Sequence, residues 1–362
     1  MACRVVTRHN CLNSNRIEKT FVFKPYEFWN PRIFEFPYYL YLTWCCLRRG
    51  IGIKTLAKAN WALDHGEIGL SSKFDTQMTF DQGFFLPTIL LKEELAIDDK
   101  RKKIIAFAEE HGYPLILKSN LGSVGKGIVK LNSEGEIDRN VDRLLGDFLL
   151  QKFTPFSKEV GIFYVRTAKG QKISGINEKH FPTVVGNGKD TIAELAKNHY
   201  RYTHHWNSFL QDIDTSEVIA DGESRRISFI GSHTLGCKFT DDTHLLTPEL
   251  EQAVFSLFET QAGYNFGRID VKAESHAALQ RGEFVVIEVN GIASLPTNMF
   301  DPKFSIWQAY RIFFEHARYL ADAAASNKHQ SMQLMSIKEL LERVKENHAT
   351  LEAVHHRLMS DD

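Results

Sequence analysis

Two carboxylates, an amide and an arginine recur at matched spacing in two apolar stretches, Gly267-Arg268-Ile-Asp270-Val-Lys272 and Glu283-Phe-Val-Val-Ile-Glu288-Val-Asn290. Side chains alternate between faces along a strand, so Arg268 shares a face with Asp270, and Glu288 shares one with Asn290. Both pairs interrupt runs that should be buried. A buried carboxylate is costly unless a cation or a hydrogen-bonded partner accompanies it. Two carboxylates and an amide oxygen form a hard-oxygen set suited to Mg²⁺ carrying nucleotide phosphates. The competing reading is a cross-strand salt bridge between Arg268 and Glu288, with Asn290 opening a turn.

A second stretch supplies the phosphate side of such chemistry. Tyr113-Pro-Leu-Ile-Leu-Lys118-Ser-Asn-Leu-Gly122-Ser-Val-Gly125-Lys-Gly127-Ile-Val-Lys-Leu131 reads as strand, glycine-rich loop, strand. Lys118 ends the first strand and faces a loop whose glycines leave backbone N–H groups free, a combination suited to polyphosphate. An ordinary glycine hairpin is the alternative. The frame excludes a Walker A loop, because Gly125-Lys126 is followed by Gly127 and not by Ser or Thr. It also excludes the dinucleotide fingerprint, because Gly-x-x-Gly-x-Gly leads into β-prone Ile128-Val129 and not into a helix.

With these residues in view, the chain resembles the ATP-grasp superfamily of carboxylate–amine ligases, closest to a bacterial subgroup, over roughly residues 73–301. Phe181-Pro-Thr-Val-Val-Gly-Asn-Gly-Lys-Asp-Thr-Ile-Ala-Glu-Leu195 resembles the glutathione synthetase and cyanophycin synthetase branch. The resemblance implies an α+β fold, two α/β lobes clasping ATP between mainly antiparallel sheets. It makes Lys118 and the flap Gly122, Ser123, Val124, Gly125, Lys126 and Gly127 the phosphate cradle. Asp270, Glu288 and Asn290 take the place of Mg²⁺ ligands, and Arg268 the place of a group supporting negative charge, so that Arg268 and Lys118 are the catalytic candidates. Gln151, Lys152 and Phe153 resemble the adenine hinge, with glutamine where an acid is often found. Glu159 matches the ribose-binding acid, and a solvated surface charge is its alternative. Lys73 and Lys179 resemble further nucleotide-facing lysines. The acceptor loop is expected in Gly291–Asp301, with Ser294, Thr297 and Asn298 as substrate candidates beside His233. The more usual Pro-Gly after Asn290 is missing.

The reaction this implies is ATP- and Mg²⁺-dependent joining of a small-molecule or peptide carboxylate to an amine, through an acylphosphate, with release of ADP. An ATP-grasp kinase would use the same ATP residues, so sequence does not separate the two. A non-catalytic nucleotide-binding module is the third reading.

The expected segments follow: an aromatic-rich region at 1–72, the smaller lobe at 73–153, the larger lobe at 154–326, and a C-terminal amphipathic helix at 332–360. Hydrophobic content of 43% and charged content of 25% are ordinary for globular chains. A net charge of −1, with Lys and Arg dispersed, provides no field for nucleic acid. The five cysteines form no zinc spacing, and their irregular pattern suits a reducing cytoplasm. Nothing at the start reads as a signal peptide. The aromatic segment at 34–49 is too short and too interrupted to span a membrane. It either packs against the body or rests on the inner membrane face as a peripheral contact. Ile337, Leu341, Val344, His348, Leu351, His355 and Leu358 follow a heptad seam. That helix packs on its own body or pairs with a second copy as a homodimer.

Overall fold

The computed structural model describes residues 25–68, 71–121, 125–202, 213–233 and 236–359. Gly122, Ser123 and Val124 of the expected flap lie outside the described residues. The backbone divides into two units, one of residues up to 35 with 182–229, the other of 36–181 with 230 onward.

The larger unit carries both main sheets. α1 (Pro31–Arg48) enters it at residue 36 and buries Tyr38, Leu42, Cys45 and Cys46, an i, i+4, i+7, i+8 stripe. α2 (Lys73–Met78) starts at Ser72, whose hydroxyl accepts from the Asp75 N–H at 3.0 Å. Asn120 fixes the same turn, taking the Lys73 N–H on its carbonyl (3.1 Å) and the Phe74 N–H on Oδ1 (3.0 Å).

β1 (Thr88–Leu91), α3 (Ile97–His111), β2 (Leu115–Ser119), β3 (Ile128–Leu131), α4 (Ile137–Val141) and β4 (Phe148–Lys152) build the smaller lobe. Its antiparallel sheet runs β1-β4-β2-β3. Alternation along β2 sends Leu115 and Leu117 into a core with Leu91, Ile104, Leu131 and Phe148. Ile116 and Lys118 therefore fall on the other face. The stretch read as strand, glycine loop, strand is the β2–β3 hairpin, with Lys118 opposite Ile128.

β5 (Lys158–Thr167) and β6 (Gly170–His180) form a long hairpin that starts the second sheet. The chain then builds the smaller unit, where β7 (Thr183–Val185), α5 (Ile192–Asn198) and β8 (Ser224–Arg226) follow in turn. A capping box of Thr191 and Glu194 starts α5. Arg201 there donates to both oxygens of Glu27, at 2.8 and 2.9 Å.

The second sheet is completed by β9 (Lys238–Asp241), α6 (Pro248–Glu259), β10 (Phe266–Ala273), α7 (His276–Gln280) and β11 (Val285–Asn290). Its antiparallel order is β11-β10-β5-β6-β9. One face packs Val160, Ile162, Tyr164, Ile269 and Val271 against Leu250, Val254 and Phe258 of α6. The opposite face carries the polar members of the same strands. α8 (Ile306–Ser326) starts with a capping box of Ser305 and Gln308, and its Phe313 ring stacks on Tyr38 at 4.1 Å.

α9 (Ile337–Met359) splits the expected seam. Leu351 and Leu358 are buried together with Val354, and Val354 and Leu358 belong to the core of the smaller lobe. Ile337, Leu341 and Val344 remain exposed.

Candidate active site

The polar face of the five-stranded sheet gathers the site. Asp270 pairs across the sheet with Glu288 on one side and Gly161 on the other; Arg268 pairs with Asn290 and Phe163. The two acidic strands adjoin as expected, but the ion pairs are not the cross-strand bridge weighed above. Arg268 donates to its own strand neighbour Asp270, Nε to Oδ1 at 2.7 Å and Nη2 to Oδ2 at 3.1 Å. Lys179 from β6 reaches Asp270 Oδ2 at 3.1 Å and Glu159 Oε1 at 2.8 Å. Glu159 is buried, with the Lys272 ammonium 3.7 Å from its other oxygen, so it is no solvated surface charge. Glycine makes this convergence sterically open: a Cβ at Gly161 would stand 2.4 Å from Asn177 Oδ1 and 2.7 Å from Arg268 Cδ.

Charge balance is set locally. Burial pushes the Asp270 carboxyl up, and Arg268 with Lys179 more than reverses this, to about 2. Burial pushes Lys179 down, and Asp270 with Glu159 raises it above the usual lysine range. Burial also raises Glu288, and Lys73 together with Lys118 outweighs it, leaving that carboxyl below its ordinary value.

Two lysines from outside the five-stranded sheet meet this face, one from α2 and one from the smaller lobe. Lys73, at the first turn of α2, forms an ion pair with Glu288 Oε1. Lys118 donates to the Ile287 carbonyl at 2.9 Å and to Gln151 Oε1 at 3.1 Å. Burial lowers the Lys118 ammonium to about 8, against the pull of Glu288. Gln151 itself is buried and donates to Thr88 Oγ1 at 2.9 Å, so glutamine replaces the expected acid without leaving a gap. Phe153 lies between Lys130 (4.9 Å) and Lys272 (5.7 Å), and Lys152 is half-buried at the end of β4. Gly125 and Gly127, at the stem of the flap, both have positive φ. Lys126 between them is ion-paired with Glu352 of α9.

Asp270, Glu288 and Asn290 fit a divalent cation by donor chemistry. They place two carboxylates and an amide on one sheet face, with Asn290 Nδ2 3.4 Å from Asp270 Oδ2. The ammonium of Lys73 and the cations on Asp270 stand where that positive charge is required.

The substrate candidates spread along the same edge. Ser294 turns its hydroxyl to the Gly291 carbonyl (2.8 Å), and its own carbonyl accepts from His316 Nε2 (2.9 Å). Thr297 donates to Asn177 Oδ1 at 3.2 Å, and Asn298 donates to Asp241 Oδ1 at 3.1 Å. Asn177 Nδ2 and Asn298 Oδ1 are buried without a partner, one donor and one acceptor left over. His233 stacks on Phe300 at 4.7 Å.

Three site residues escaped the sequence reading. Asn177 shares the Lys179 face of β6, so the same alternation argument could have found it. Asp241 accepts from Asn298 and pairs across from Asn177. Glu67 had no local signal. It sits in a turn where His65, Gly66 and Glu67 all have positive φ (46°, 70° and 59°), an arrangement that costs about 1 kcal/mol or more per non-glycine residue. A Cβ on Gly291 would stand 2.5 Å from Glu67 Cβ, so the turn lies directly on the acceptor loop. Glu67 is part-exposed along its length but buried at its tip, and Oε2 has no hydrogen-bond partner. Burial and then Glu288 push this carboxyl up to about 8, against Lys73.

Lys73 of α2 and Lys118 of the four-stranded sheet thus meet the polar face of the five-stranded sheet, at the Glu288 carboxylate and the Ile287 carbonyl. Residues 89–222 match the family model of the ATP-grasp domain, and the α+β arrangement of helices and antiparallel sheets agrees with that match. The matched stretch includes Lys118, the flap, Gln151, Glu159 and Lys179, and ends before Arg268, Asp270, Glu288 and Asn290. No match was found among curated protein sequences. Among solved structures, the chain is similar to a bifunctional glutathione synthetase from Pasteurella multocida (13% identity, TM-score 0.36, 67% of this chain and 36% of that one). It is also similar to D-alanine–D-alanine ligase from Bacillus anthracis (14%, 0.39, 76% and 68%). A third is D-alanyl-alanine synthetase A from Vibrio cholerae (14%, 0.39, 80% and 66%). The chain thus spans about a third of the first protein's length. Likeness at this level says nothing of substrate.

Proposed function

We propose that the protein is an ATP-dependent carboxylate–amine ligase that releases ADP. The observation that carries the reading is the convergence of Lys73 of α2 and Lys118 of the smaller lobe on the Arg268, Asp270, Glu288 and Asn290 face of the five-stranded sheet.

In the first step a substrate carboxylate oxygen attacks the γ-phosphorus of ATP. The new O–P bond gives an acylphosphate, and ADP leaves. In the second step an amine attacks the acyl carbon, phosphate leaves with the C–O bond electrons, and the amine loses a proton. Mg²⁺, when bound by Asp270, Glu288 and Asn290, supplies charge neutralisation for the phosphates. The chain's own groups do the remaining work, which is mostly positioning and electrostatics. Lys118 and Lys73 meet phosphate oxygens, and Glu159 with Lys179 frames the nucleotide side. Arg268, its orientation fixed by two hydrogen bonds to Asp270, faces the oxyanion of the second step. Asn177 Nδ2 and Asn298 Oδ1 offer the unfilled amide groups that orient the acceptor, and Thr297 holds Asn177 in place.

The test is isotopic. A screen of carboxylate and amine pairs for ADP release, read with product mass, identifies a pair; ¹⁸O in the carboxylate then has to appear in released phosphate. ADP release with a phosphorylated hydroxyl product and no released phosphate replaces the ligase with a kinase.

A further inference from the structure

We propose that the outward faces of α1 and α8 form a docking surface for an anionic lipid bilayer. A surface helix normally buries its apolar stripe and presents polar residues to water. α1 does not. Opposite its buried stripe stands a second apolar one, with Phe36, Leu40, Trp44 and Leu47 at i, i+4, i+8 and i+11, exposed by 60, 57, 47 and 72%. α8 runs alongside in the same direction, joined through Tyr38 to Phe313 (4.1 Å), Tyr41 to Phe314 (4.9 Å) and Arg49 to Asp322 (2.8 Å). It adds Trp307, which is 80% exposed, and the half-buried Phe314 on the adjoining turns. Single exposed apolar side chains need no explanation, but a run along two adjacent helices does.

The composition of this face favours a bilayer over a protein groove. Indole and phenol rings suit the headgroup level, where one end is apolar and the other wet. Thr43, within the exposed stripe, turns its hydroxyl to the Tyr39 carbonyl at 2.8 Å and so brings no unpaired group into an apolar phase. Cations border the face: the Arg48 guanidinium lies 5.1 Å from the Trp44 ring, and Arg311 and Arg318 are exposed on α8. Glu315 between them is held by Arg318 (3.1 Å) and Tyr319 (2.6 Å). The border therefore complements acidic headgroups. Among the described residues no helix is long and apolar enough to cross a membrane, so this contact lies in the interfacial plane.

The full chain is sedimented with phosphatidylcholine vesicles and with vesicles containing about a third phosphatidylglycerol, at low and high salt. Partitioning should be about tenfold or more stronger on the anionic vesicles, weaken with salt, and shift tryptophan emission to the blue. The double variant Leu40→Glu, Leu47→Glu should lose about tenfold or more of that binding while melting like the parent. Absence of binding to either vesicle overturns the proposal, and so does binding that the double variant retains. Self-association that the double variant abolishes, with no vesicle binding, assigns the face to a second copy of the chain instead.

Discussion

Asp270 and Glu288 face the same problem, a carboxylate taken out of water, and meet it differently. Asp270 has an arginine and a lysine from within its own sheet, whereas Glu288 relies on Lys73 from α2, outside the sheet. Glu288 is therefore the acid whose charge is balanced from outside its own sheet. Glu288→Gln should keep the fold and reduce ADP formation by about a thousandfold, the scale of losing a charge that acts on the transition state. A coupled ADP assay beside a melting curve reads this, and unchanged turnover removes Glu288 from the site. Glu67 gives the second residue-scale prediction. Its carboxyl titrates near 4.5 unfolded and about 8 folded, so across that window the folded state holds a proton the unfolded chain has released. Its contribution to stability is full below the unfolded value and lost as pH rises through the folded one. Glu67→Gln cannot ionise. Without nucleotide or divalent cations it should match the parent near pH 5 and exceed it near pH 8 by on the order of 2 kcal/mol in urea unfolding. Equal pH profiles for the two proteins would show that the Glu67 tip is not held neutral. The acids of β10 and β11 were legible because strand alternation projects local sequence onto one face. Glu67 was not, because its place depends on a left-handed turn meeting Gly291 from far along the chain.

At the scale of elements, legibility tracked how local the determining interactions are. The β2–β3 hairpin and the strand pair β10–β11 follow from alternation and glycine placement, and each was readable. The tail was readable as a helix but not in its packing. A heptad seam states which residues share a stripe, not what the stripe meets. Here Leu351 and Leu358 turn inward, with Val354 as the intervening contact that the 4-3 spacing overlooks. Arg357 adds a bond to the Asp142 carbonyl at 2.8 Å, and Arg343 one to Asp64 at 2.5 Å. α9 is thus part of the smaller lobe's core over its last turns. Leu358→Ala should cost about 2–4 kcal/mol in denaturant unfolding, as large-to-small core changes do. Leu341→Ala should cost under about 0.5 kcal/mol, as an exposed position. A reversed pattern, or loss of stability in both that grows on dilution, would place the seam in a pairing between two chains.

For the molecule as a whole, the site is where the two lobes share charge, so nucleotide binding must move protons. Lys118 and Glu67 titrate at about 8 from opposite directions, one an ammonium lowered by burial, the other a carboxyl raised by burial. Lys118 sits among Glu288, Lys73, Glu159 and Asp270; Glu67 faces Glu288 and Lys73. A polyphosphate against Lys118 favours its charged form, so Lys118 takes up a proton wherever it began neutral. Positive charge delivered to Glu288 relieves the repulsion on Glu67, so Glu67 releases a proton wherever it began protonated. Near pH 7 most Lys118 is already charged and most Glu67 still protonated, giving net release. Near pH 9 the populations invert, giving net uptake, with at most about one proton at each limit. Calorimetry of a nonhydrolysable ATP analogue with magnesium, repeated in buffers of different ionisation enthalpy, measures this directly. The slope of heat against buffer enthalpy should change sign near pH 8, and Glu67→Gln should remove the release below it while leaving the uptake above. A slope of one sign across the range would mean that these two groups do not meet the bound nucleotide together, and the shared-charge account of the lobes would fail.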